Sequence, residues 1–269
     1  MMHLRQTLFI KFAAILFIID ATAQHSAIAS DLGLSLCQKV QSDAERLKCY
    51  DNLGKPVPDG MKRTLQEDIS YRGIPLGSTL DEFRKRRHPD AGQHPNAKPI
   101  CSGDRAMGNT YSLYSLPREL SRVGIIWCQF YEPTKRKSDP WSSANPDFGD
   151  ARTIDTAFYF TPSTFPEEHQ QSLYQVSMTI HVNWYGQVLS ALTAKYGAPS
   201  ETRSDKISNG LGASFTNEIS IWRGPTTSVQ ISKYDDTINH SSVQFFHKPS
   251  LNAVTTAVMN LAKEDASKL

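Results

Sequence analysis

A chain of 269 residues, 39% hydrophobic and 21% charged, is long enough for one large domain or two small ones with a packed core. Its formal net charge of +2 leaves no electrostatic case for bulk nucleic-acid binding, so no nucleic-acid partner is expected.

The first element reads as an export signal. His3 and Arg5 precede an apolar run from Leu8 to Ile19, broken only by Lys11, and the small residues Ala21-Thr22-Ala23 follow. This is the layout of a secretory signal peptide over residues 1–23 with an A-x-A cleavage site. Ala27-Ile28-Ala29 offers a second site, so the mature start is expected at Gln24 or Ser30. The run is well short of the ~20 residues that span a bilayer, and no transmembrane anchor is expected after cleavage. The expected location is periplasmic or secreted. In that oxidising space Cys37, Cys49, Cys101 and Cys128 read as two disulfides.

Residues 24–60 are predicted to form a helical hairpin and a linker. In one straight helix Cys37 and Cys49 would lie about 18 Å apart along the axis, beyond the roughly 4.4–6.8 Å that a disulfide permits between Cα atoms. Ser42-Asp43-Ala44-Glu45 has the form of a capping box, so a second helix begins there and ends at Gly54. A reversal near Asp43 sets the two cysteines side by side, and the bond would stabilise the short helices by about 3 kcal/mol in the chain-entropy model. The pattern Cys37, Asp43, Arg46-Leu47, Cys49-Tyr50-Asp51, Leu53 resembles the segment that follows the signal peptide in many exported bacterial proteins, including the VasI/TagO proteins associated with type VI secretion. The resemblance is confined to residues 37–53 and implies a Gram-negative envelope address.

The body is expected to be α+β: an antiparallel sheet with helices on one face, built from two units of one helix and three strands, 61–182 and 183–269. Thr79-Leu80-Asp81-Glu82 is a second capping-box pattern, Leu80 and Phe83 give its helix an apolar side, and Pro89 should end it. Three strands are predicted next, over Val123–Glu132, Thr153–Phe160 and Leu173–Val182. Ile154, Thr156, Phe158 and Phe160 share one side of the second, and Tyr174, Val176, Met178, Ile180 and Val182 one side of the third.

Asn183 should cap a helix whose stripe is Tyr185, Val188, Leu189, Leu192 and Tyr196, with Gly197 and Pro199 as stop signals. Strands over Phe215–Arg223, Ser228–Tyr234 and Ser242–His247 follow, and a last helix from Ser250 to about Asp265 buries Leu251, Val254, Val258 and Leu261. The phrases "GIPLGSTLDEFRK" and "LSALTAKYGAP" are similar to helix segments of SmpA/OmlA and β-lactamase-inhibitor-protein modules, which implies a helical layer on an antiparallel sheet and a binding role. A Cys101–Cys128 bond would tie the Pro-rich stretch His88–Pro99 to the first strand.

No H-E-x-x-H, G-x-S-x-G, Walker A or G-x-G-x-x-G motif occurs, and no catalytic residue, metal or cofactor is assigned. His88, Asp90 and His94 lie close together, but in a Pro/Gly loop with nothing to make them converge they are expected to be solvated. Arg84, Arg86 and Arg87 belong to the longest basic run, either complementing a helix C-terminus or presenting a patch to an acidic partner. Trp141, in "SDPWSSANPDFG", reads as a loop tryptophan, an anchor for a partner or a ring tucked under its own loop. Trp127 and Trp222 are expected in the core, and Trp184 beside the second helix. His181, His240 and His247 fall at strand ends, and His181 with Asp235 could form an acid/base pair.

These features lead to a non-catalytic binding or accessory protein of the bacterial envelope, its partner another envelope protein. The rival is a hydrolase with a dispersed His/carboxylate site. A third reading is a module that supports a secretion assembly.

Overall fold

The chain divides into Met1–Lys62 and Arg63–Leu269. The computed structural model describes residues 65–267 apart from 105–115, 137–138, 150, 209–212 and 236. The predicted signal peptide, hairpin, Cys37–Cys49 bond and linker lie outside the described residues.

A tight hairpin opens the body: β1 (Ser70–Tyr71) turns through Arg72 and Gly73, at φ 48° and 77°, into β2 (Ile74–Pro75). Two successive left-handed residues match the right-handed twist of the flanking strands, and glycine takes one of them without strain. Helix α1 (Leu80–Arg84), β3 (Lys98–Cys101), α2 (Arg118–Val123), β4 (Ile126–Arg136), β5 (Asp139–Ser143), β6 (Thr153–Phe160) and β7 (Leu173–His181) follow. Then come α3 (Tyr185–Tyr196), β8 (Glu201–Ser208), β9 (Ser214–Arg223), β10 (Thr227–Ser232), β11 (His240–His247) and α4 (Lys248–Ala266).

The main sheet runs β3-β4-β6-β7-β11-β10-β9-β8, with β5 added on β4. Every pairing is antiparallel. The chain thus walks inward from β3 to β7 and, in its second half, from β8 at the far edge inward to β11. The halves meet where β7 pairs β11. This is the α+β antiparallel architecture expected from the alternating patterns.

One face carries the main core. Phe158, Phe160, Val176, Met178, Ile180, Trp222, Val229, Ile231, Val243 and Phe245 on the strands pack with Leu80 and Phe83 of α1 and with Tyr185, Val188, Leu189 and Leu192 of α3. The Thr79/Glu82 capping box forms as expected: the Glu82 amide donates to Thr79 Oγ1 at 3.3 Å and the Thr79 amide to Glu82 Oε2 at 2.9 Å. Gly197 ends α3 at φ 77°. Trp222 is in the core, with its indole N–H donating to the Gly197 carbonyl at 2.8 Å.

Helix α4 packs against β7, β11 and α2. Its buried Leu251, Val254 and Val258 stay outside the cluster that takes α1 and α3. The expectation of helices on one face therefore holds for α1 and α3 and not for α4.

Other expectations are corrected by edges and irregularities. Each half carries more than three strands, because β3, β5 and β8 add to those predicted. These three are short or largely polar, and an edge strand buries too little to show an alternating pattern. Residues 118–123 form α2, so β4 starts at Ile126 rather than Val123. Helix α1 stops at Arg84, one turn before Pro89.

A register shift between Thr153 and Asp155 turns Ile154 outward, 48% exposed. A second, beside Tyr159, sends Tyr174 toward that ring at 6.3 Å instead of into the main cluster. One extra residue in a strand reverses the side on which later side chains fall. Asn183 does not cap α3: it sits in a 3-10 turn, where its amide donates to His181 Nδ1 at 3.3 Å.

Tyr71 lies edge-on to Phe158 and Phe245, at 5.7 and 5.3 Å. It is 1% exposed, its hydroxyl has no hydrogen-bond partner among the described residues, and burial pushes its pKa far above the ordinary phenol value. An unmet buried donor costs about 1–3 kcal/mol. Tyr71→Phe is therefore expected to raise stability by about 1 kcal/mol. Thermal unfolding checks this, and a lower melting temperature would refute it.

Candidate functional site

The second face of the sheet carries rows of polar side chains, mixed with buried Ala157, Ile219 and Ile221, where the first is apolar. Registers across the central strands align Ala157, Ser177, Gln244, Gln230 and Ile221 in one row and Asp155, Thr179, Ser242, Ser232 and Ile219 in the next. Strand β7 shows the reason, since Val176, Met178 and Ile180 are buried while the intervening Gln175, Ser177 and Thr179 are half-buried. Period-two alternation sends hydroxyls and amides to one side.

Toward β4 the rows continue into a bonded set. Gln129 donates to Asp155 Oδ1 and accepts from the Tyr131 hydroxyl at 2.6 Å. Desolvation raises the Asp155 pKa, against the lowering effect of the hydrogen bonds from Gln129 and the Thr156 amide. Such amide and hydroxyl groups can hydrogen-bond backbone or polar side chains of a partner.

Trp141 is placed on this side of the molecule. It lies in β5 rather than in a loop, opposite Pro133, and the Lys98 ammonium stands 4.6 Å from its ring centroid. The ring is half-buried. The Pro/Ser/Asn-rich composition masked a strand that exists through its pairing to β4, a contact that no local signal carries. The cation–π contact is worth ~0.5–1 kcal/mol at an exposed site.

The basic run is partly occupied within the chain. Arg84 makes a fork to Asp104, at 2.8 and 3.2 Å, and Arg86 donates to the Gly73 carbonyl at 3.2 Å. Arg87 is exposed. The run therefore holds the β1–β2 hairpin and the β3 end as well as complementing the C-terminus of α1.

His88, expected to be solvated, is 3% exposed. Its Nδ1 accepts from the Asp90 amide at 3.0 Å, which leaves Nε2–H to donate to the Ala144 carbonyl at 3.0 Å. Neither nitrogen keeps a free lone pair for a metal. His94 stacks edge-on at 4.8 Å and turns Nδ1 to Glu132 at 3.2 Å. Asp90 pairs with Arg72 and accepts from the Asp147 amide. The loop is thus fastened to β4, the hairpin and residues 144–147 by partners distant in sequence. Among the described residues, no three His, Cys, Asp or Glu side chains converge to hold a metal ion.

The remaining histidines were candidates for a dispersed catalytic site. His181 faces His240 across the β7–β11 register, and the local Asn183 amide occupies its Nδ1. His247 Nδ1 lies 2.9 Å from Ser250 Oγ, which is 3.0 Å from Ser172 Oγ. This Ser–His contact went unnoticed in the sequence, where His247 and Ser250 stand only as the end of a strand and the start of a helix.

Asp68 lies close enough to act on His247 electrostatically, but it accepts four hydrogen bonds from the amides and hydroxyls of Thr226 and Thr227. Ser250 is 0% exposed and has no approach for a substrate. The arrangement anchors α4 onto β7. Gly77 completes it, because at φ 86° it would place a Cβ 3.1 Å from the His247 ring.

Burial lowers the pKa of both His88 and His247 below the ordinary 6.5. The unfolded chain then binds more protons than the folded one as pH falls. The stability these residues contribute is complete above pH ~6.5 and lost as pH drops through their lower folded values. Imidazole titration by NMR should give two midpoints below 6.5, with the melting temperature falling over the same window. Midpoints at or above 6.5 would refute it.

Among the described residues, no helix is long and apolar enough to cross a membrane. Comparison with known proteins gave no match to a family model, a curated protein or a solved structure.

Proposed function

We propose that the chain is a non-catalytic binding or accessory protein of the bacterial envelope, periplasmic or secreted, whose polar sheet face receives another envelope protein. The observation that carries this reading is that face: half-buried Gln175, Ser177, Thr179 and Gln244 on the central strands, with Trp141 and Lys98 toward its β4 end. A surface of bonded amides and hydroxyls beside an aromatic anchor suits a polar protein partner. The leader-like residues 1–23 support the location, as does the Cys101–Cys128 disulfide, since such bonds persist in oxidising compartments. The proposal includes the stapled hairpin of residues 24–60 and a body of two related units.

The test is crosslinking and affinity purification from the native envelope, run beside a Ser177→Arg/Gln244→Arg variant of matched melting temperature. A partner held by the wild type and lost by the variant is expected. Equal recovery by both would reject the face as the site. A hydrolase using the buried pair would lose its turnover on Ser250→Ala, whereas the binding reading expects partner recovery to persist.

A further inference from the structure

The sheet ends differently on its two sides. At one end stands β3, four residues long, and at the other β8, eight residues long, which pairs only with β9 among the strands of the sheet. Thr202, Ser204, Asp205, Lys206 and Ser208 are exposed. A free edge of this length offers a row of backbone donors and acceptors to another strand. Its charges decide which strand fits.

We propose that β8 pairs antiparallel with β8 of a second copy of this chain, about a two-fold axis through Ser204. In an antiparallel pair, directly opposed side chains lie on the same face. A two-fold axis perpendicular to the sheet keeps the faces of both copies aligned. Residues of the same parity must therefore oppose each other. Centred on Ser204, the pairing sets Arg203 opposite the second copy's Asp205 and Asp205 opposite its Arg203, two attractive contacts on one face.

Moving the axis to Arg203 would oppose two arginines, and moving it to Asp205 would oppose two aspartates. Like charges directly across a pair of strands are destabilising, so the pattern disfavours both of these shifts; an axis at Thr202 would set Arg203 opposite Glu201, but Glu201 is already paired with Arg223 at 2.6 Å. The pattern also discourages strands of other sequence, as charged edges do.

A second observation agrees. Within one copy, Arg203 Nε is 3.7 Å from Asp205 Oδ2, too far for a hydrogen bond, and has no hydrogen-bond partner among the described residues. A neighbouring carboxylate across the edge would supply an acceptor for that group.

The experiment is light scattering coupled to size-exclusion chromatography on the protein as its natural host processes it, across a range of concentrations. The wild type is expected to reach a dimer. Arg203→Asp alone and Asp205→Arg alone are each expected to raise the dissociation constant by about tenfold or more, because they put like charges together. The Arg203→Asp/Asp205→Arg double variant restores the self-complementary pattern and should dimerise again. The two single variants, mixed, should associate with each other.

Hydrogen exchange on the wild type provides a readout that needs no variant: protection of residues 201–208 should rise with protein concentration. A wild type that stays monomeric overturns the proposal. So does a dimer indifferent to the single reversals, a double variant that fails to recover, or exchange at β8 that ignores concentration. Loss of the β8 dimer would leave the polar-face reading standing, since that test follows a different protein on a different surface.

Discussion

Replacing Cys101 and Cys128 together by alanine is expected to remove about 3.5 kcal/mol of stability in the chain-entropy model. The two residues are 27 positions apart, directly opposed on β3 and β4, and bonded to each other. Both are fully buried in the main cluster. Without the cross-link the unfolded chain regains the freedom of that loop, and β3 retains only four residues of pairing to hold the edge of the sheet. Urea unfolding of the wild type and the double variant measures the difference. A loss below about 1 kcal/mol would show that pairing alone holds β3.

Phe83→Ala is expected to have a comparable effect, about 3–5 kcal/mol, from lost transfer energy and the cavity left behind. The Phe83 ring is fully buried and lies 4.6, 5.2 and 5.5 Å from those of Phe158, Phe160 and Phe130. It is the main plug by which a five-residue helix attaches to the sheet. Such a helix has no stability of its own, so losing the ring removes both packing and the reason for α1 to form. Phe83→Leu, which keeps much of the volume, should lose clearly less. Chemical unfolding monitored by tryptophan fluorescence checks both, and near-equal losses would point away from cavity formation.

How far the fold could be read depended on how local its signals were. The Thr79/Glu82 capping box and the α3 stripe closed by Gly197 are complete within a few residues, and both were legible. The long strands were legible wherever one face is buried, as in the alternation of β7. Strands β3, β5 and β8 were not, because they exist through hydrogen bonds to a neighbour and are too short or too polar to show an alternating pattern. The outward turn of Ile154 and the diversion of Tyr174 depend on which residue of the partner strand is skipped, and nothing within either strand announces that.

The candidate site was less legible than the fold. His88, Asp90 and His94 stood out as neighbours, yet their roles come from Ala144, Arg72, Asp147 and Glu132, distant residues that occupy the polar atoms a metal would need. Arg84 and Arg86 stood out as charge, and Asp104 and the Gly73 carbonyl turn them into braces. Trp141 stood out as an aromatic in a polar stretch, and pairing to β4 puts it on a strand beside Lys98.

The sequence by itself determined the α+β antiparallel class, the Thr79/Glu82 cap of α1 and the Gly197 stop of α3, because periodicity, capping and stop signals are written in adjacent residues. Only the tertiary structure decided that the halves join through β7 and β11, that α4 lies outside the main cluster, and that hydroxyls and amides of the central strands align in rows on the second face. Strand order and register arise from contacts between segments far apart in the chain, where burial and hydrogen bonding across the whole sheet select among pairings that are locally equivalent.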